Sequence, residues 1–82
     1  MNNTKNIKKE TLDDVLQNGG TITHNGVRIL VDTDLESEKT YSGYYIISAL
    51  GHRVFFRTGD RAKAQKCCSD IFGKGFYSVR TV

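Results

Sequence analysis

From Tyr44 to Arg57 the chain reads YYIISALGHRVFFR, two runs of β-branched and aromatic residues separated by Gly51-His52. Apolar residues occupy both faces of these strands: Tyr45, Ile47 and Ala49 lie on one side of the first, and Tyr44, Ile46 and Leu50 on the other. A strand with two apolar faces belongs inside a sheet, or has its second face covered by another element. Whatever fold the chain adopts must therefore supply this hairpin with neighbouring strands and with a helical layer.

The remaining elements answer that need. Thr11, with Asp14 three residues on, resembles a weakened capping box, and Leu12, Val15 and Leu16 follow at helical spacing, so a short helix is expected over about 11–17, closed by Asn18, Gly19 and Gly20. Asn25-Gly26 then sits between alternating segments, which predicts a tight hairpin with strands at about Thr21 to His24 and Val27 to Asp32. Asp60 is the expected N-cap of a second helix that runs to about Phe72 and ends at Gly73. On that helix Ala64, Cys67, Cys68 and Ile71 form one apolar stripe, while Arg61, Gln65, Lys66, Ser69 and Asp70 occupy the opposite arc. A closing strand is expected over Phe76 to Val82. The sum is an α+β fold: a single small domain over 11–82, with an antiparallel sheet of four to five strands and two helices in the order α-β-β-β-β-α-β. Residues 1–10 read as a flexible polar arm.

Eighty-two residues are enough for one core only. No run approaches the length of a membrane span and the first ten residues carry no export signal, so no membrane partner is expected. The two cysteines are adjacent and cannot staple distant parts of the chain, which favours a reducing, cytoplasmic setting. No metal-ligand spacing occurs, and the acidic loop DTDLESE lacks the glycine of a calcium loop, so neither metal nor cofactor is expected.

Charge is unevenly spread. Up to Tyr41 there are five basic and seven acidic residues; from Ser42 onward there are seven basic and two acidic. An electropositive C-terminal half points to an anionic partner, the competing view being that the acidic loop neutralises it. Arg53, Phe55 and Arg57 project from one face of one strand, and rings that stack on bases beside guanidinium groups that hold phosphate would make a nucleic-acid platform, extended by Arg28, Arg80 and Tyr77; the competing reading is that Phe55 and Tyr77 are half-buried packing residues and the arginines pair with Asp32, Asp34 and Glu36. Arg61, Lys63, Lys66 and Lys74 form a second basic set able to contact phosphate backbone, or simply a solvated helix face. His24 and His52 lie beside turns with no nucleophile at a telling spacing, and the cysteines read as small core hydrophobes, so no catalytic residue is expected.

The segment Gly51 to Ala64, GHRVFFRTGDRAKA, resembles the arm-type DNA-binding domains at the N-termini of phage integrases, in which a three-stranded sheet with a Gly-x-Arg turn precedes a helix whose alanines pack on it. The resemblance implies that Arg53, Phe55 and Arg57 face a DNA groove. A short pattern of strand, Ala-x-Ala helix and Gly-aromatic strand also resembles SPOR domains, which are exported. The expected function is that of a small non-enzymatic regulatory protein, of the kind encoded by phages or mobile elements, that binds DNA or RNA. The alternative is a protein-interaction module acting on a host protein through an edge strand or through Tyr44, Tyr45 and Phe55, and a homodimer through the same edge is a variant of it.

Overall fold

A computed structural model describes residues 11–34 and 41–82. The polar arm over 1–10 and the middle of the acidic loop, with Glu36 and Glu38, lie outside the described residues. The elements are α1 (Leu12–Asn18), β1 (Gly20–His24), β2 (Val27–Asp32), β3 (Tyr44–Ile47), β4 (Arg53–Arg57), α2 (Arg61–Phe72) and β5 (Arg80–Thr81). This is the expected α+β order, and the strands form one five-stranded antiparallel sheet in the order β1-β2-β4-β3-β5. The hairpin with two apolar faces thus lies in the sheet interior, with β4 at its centre.

Local chemistry sets the boundaries. Thr11 Oγ1 accepts from the Asp14 amide at 3.2 Å, and Asp60 Oδ1 accepts from Ala62 and Lys63 at 2.9 and 3.4 Å, so both helices start on a side-chain cap. Asn25 and Gly26 both take positive φ, 51° and 79°, the mirror-image turn whose twist matches its strands. The Asn25 side chain then donates to Asp70 Oδ2 at 3.1 Å and fastens the hairpin tip to α2.

The core lies between the sheet and the helices. Val27, Ile29 and Val31 of β2, Val54 and Phe56 of β4 and Ile46 of β3 meet Val15 of α1 and Ala64, Cys67 and Cys68 of α2, with Val79 closing the far side. The apolar stripe of α2 is as expected, and Ile71 packs against its margin. His52 Nδ1 donates to the Leu16 carbonyl at 2.9 Å, so the turn between β3 and β4 satisfies a carbonyl near the end of α1.

The closing strand is shorter than the alternation from Phe76 to Val82 suggests. Only Arg80 and Thr81 pair, with Tyr45 and Tyr44. Before them the chain drops towards α2, and Gln65 takes over the role of a strand partner. Its Oε1 accepts from the Val79 amide at 3.1 Å and its Nε2 donates to the Tyr77 carbonyl at 3.0 Å. Val79 is thereby buried with its amide satisfied, so Gln65 is a structural residue and not part of a solvated arc. Gln65→Ala should cost about 1–3 kcal/mol, because it leaves the buried Val79 amide without an acceptor. Urea unfolding checks this, and Gln65→Glu, which keeps the acceptor but loses the donor, should fall between the two.

Candidate nucleic-acid interface

One face of the sheet carries the helices; the other carries most of the side chains singled out for an anionic partner. Strand register places them in rows. Arg28 lies opposite Arg57, Leu30 opposite Phe55, and Asp32 opposite Arg53 across β2 and β4, while Tyr45 joins Phe55 to Arg80 across β3 and β5. Arg28, Arg53, Phe55, Arg57 and Arg80 therefore share the helix-free face, as a platform requires.

That face is not bare. Phe55 retains only 2% of its accessible surface. Tyr41, returning from the acidic loop, meets it edge-on at 4.9 Å between ring centroids, and Tyr45 lies at 6.0 Å on the other side. The Arg53 guanidinium stands 5.4 Å from the Phe55 ring, and Arg57 stands 6.0 Å from the Tyr41 ring. The expectation that Phe55 offers a ring for stacking is thus corrected: a large apolar side chain on the second face of a central strand is favoured beneath other rings. Tyr41 was not singled out in the sequence. Its only signal was being the lone aromatic in an otherwise polar connector.

Gly43 makes this cover possible. It has φ +114°, and a Cβ there would collide with the Phe56 carbonyl oxygen and lie 3.2 Å from Arg57 Cα, so the connector can press this closely onto β4 only without a side chain.

Arg53 is engaged as well. Its Nη2 donates to Asp32 Oδ2 at 3.0 Å and to the Asp34 carbonyl at 3.4 Å, and the side chains of the ion pair are each only 15% exposed. Neutralisation by the acidic segment therefore holds for Arg53. It does not extend to Arg28, Arg57 and Arg80, which are exposed and have no carboxylate partner among the described residues.

The other candidates lie elsewhere. Tyr77 packs edge-on against Phe72 at 5.0 Å, on the helix side, because the chain before β5 leaves the sheet. Arg61 stands at a groove by the end of β3, and Lys66 and Lys74 line a depression on the outer side of α2 that also contains Asp70. No single ligand surface holds all ten basic and aromatic positions. Lys66 and Lys74 lie away from the sheet face, whereas Arg61 shares its groove with Arg80.

The titratable groups near the helix form no reactive set. His24 Nε2 lies 3.6 Å from Asp70 Oδ2, and Cys67 Sγ is directed at the His24 carbonyl at 3.8 Å. Burial, with Asp70 nearby and the adjacent Cys68, pushes the Cys67 thiol up to about 11, and burial alone pushes Cys68 up to about 11. Such thiols are poor nucleophiles at neutral pH. Among the described residues no three His, Cys, Asp or Glu side chains converge as a metal site, and no helix is long and apolar enough to cross a membrane. Comparison of this chain with protein-family models, curated proteins and solved structures finds no match.

Two outcomes follow from this geometry. Gly43→Ala should lower stability by about 1–3 kcal/mol and displace Tyr41, seen as loss of the ring-current shifts on Phe55, whereas Gly26→Ala meets no neighbour and should leave those shifts unchanged. The raised thiols favour the protonated form in the folded state, so their contribution to stability is complete below about 9 and is lost as pH rises towards about 11. A melting series from pH 8 to roughly 11 should show a decline that Cys67→Ala/Cys68→Ala makes shallower.

Proposed function

We propose that this chain is a small non-enzymatic regulatory protein that binds nucleic acid through the helix-free sheet face, gripping backbone phosphates with Arg28, Arg57 and Arg80. The observation that carries the reading is the Arg28–Arg57 pair, directly opposed on neighbouring strands with no carboxylate partner among the described residues. Like charges so placed repel one another by a few tenths of a kcal/mol, roughly, and a bound phosphate relieves the repulsion. Their Cα atoms are about 5.5 Å apart by antiparallel geometry, close enough for both guanidinium groups to reach one phosphate. Arg80, two strands from Arg57 and in the next row, that of Phe55 and Tyr45, takes a neighbouring phosphate.

The sealed ring of Phe55 shifts the expected mode of contact. With no fully exposed aromatic on this face, affinity comes from charge rather than from stacked bases, so binding should tolerate changes of sequence and fall steeply with salt. The likeness of Gly51 to Ala64 to integrase arm-type domains supports the same face, through Arg57 more than through Arg53 and Phe55.

The test is retention on a duplex and on a single-stranded oligonucleotide across a salt series. Two neutralised phosphates predict a log–log slope near −2 on duplex, and Arg28→Ala/Arg57→Ala should reduce its magnitude by about 1. Salt-insensitive binding, or none at low salt, would overturn the reading.

A further inference from the structure

The sheet has an unfinished edge. Antiparallel bonding alternates along β3: Ser48 donates to His52 on the β4 side at 2.8 Å, and Gly43 accepts from Val82 on the β5 side at 3.1 Å. By that alternation the backbone groups of Gly43, Tyr45 and Ile47 point towards β5. The ladder stops at the pair of Tyr45 with Arg80, and Ser78, next in register opposite Ile47, is not paired. The cause is the descent of 77–79 onto Gln65. Ile47 is therefore left with its N–H and C=O directed into the space that β5 vacates.

That space is a groove of about 570 Å³ lined by Ile46, Ile47, Arg61, Phe76, Tyr77, Ser78, Val79 and Arg80. Ile47 and Phe76 are two of the four large apolar side chains left exposed among the described residues, Phe76 at 74%. Arg61 and Arg80 are its only charged lining residues, and neither has a carboxylate partner among the described residues.

The geometry points to a docking site for an extended segment of a partner protein that carries both carboxylate and apolar side chains. The segment continues the sheet where β5 ends. Its backbone pairs with Ile47, its apolar side chains contact Ile47 and Phe76, and its carboxylates meet Arg61 and Arg80. The combination of an unpaired backbone edge, apolar walls and cations is what such a peptide satisfies; a polynucleotide would leave the backbone groups of Ile47 without a ladder partner. This site is separate from the Arg28–Arg57 pair and stands whether or not that pair binds phosphate.

Selection of a random decapeptide display library on the immobilised full chain tests it. Enriched sequences should combine acidic with aliphatic residues. A synthetic peptide of the leading sequence should shift the amide resonances of Ile47, Phe76 and Ser78 and slow exchange of the Ile47 amide. Arg61→Glu and the exposed-site change Phe76→Ala should each weaken it about fivefold, while Arg28→Glu/Arg57→Glu leaves it unchanged. The proposal is overturned by absence of enrichment, by basic consensus sequences, or by binding indifferent to both Arg61→Glu and Phe76→Ala. It falls equally if concentrated protein alone shifts the same amides, which would identify a second copy as the occupant.

Discussion

Three successive side chains of β4, Val54, Phe55 and Phe56, are buried, although only alternate ones can face the helices. A two-layer domain satisfies the first and third with its core and has nothing regular to offer the second. Here the answer is a loop. Tyr41 closes over Phe55 on the helix-free side, with Tyr45 and Arg53 at its flanks, and Gly43 is the point at which the backbone comes close enough to allow it. The second face of the central strand is thus covered at one spot, and the arrangement of charge around that spot follows.

The central strand carries an arginine at each end, and the two have different fates because their cross-strand neighbours differ. Arg53 stands opposite Asp32 and is drawn into a largely desolvated ion pair, where it contributes to holding the connector and is spent as a ligand for anything else. Arg57 stands opposite Arg28 and has no such outlet among the described residues. A stripe that looks uniform along one strand is therefore divided into a structural end and an electrostatically unsatisfied end. Of the helix-borne cations, Lys66 lies on the outer side of α2, while Arg61 meets Arg80 at the groove by the end of β3.

Much of this was legible before any coordinates. Thr11 and Asp60 mark the helix starts, Asn25-Gly26 marks the first hairpin, and the stripe of Ala64, Cys67, Cys68 and Ile71 sets the rotation of the second helix, because each depends on neighbours a few residues away. What escaped depended on partners distant in the chain. Alternation after Phe76 reads as a strand, but whether a strand forms depends on Gln65, whose polar character placed it on the outer arc. Register across β2 and β4 decides which arginine meets a carboxylate, and Asp32 and Arg53 are separated by a loop and a whole hairpin strand. Tyr41 gave no periodic signal at all.

The adjacent thiols in the α2 stripe carry a further consequence. Neighbouring cysteines in a helix cannot close on each other, and both are sealed while the fold persists. Every global opening in aerated solution exposes both thiols, free of the helix geometry, to oxidation with each other or with thiols of other molecules. Covalent cross-linking then competes with refolding, so without reductant heat denaturation becomes a one-way process whose apparent midpoint moves with heating rate.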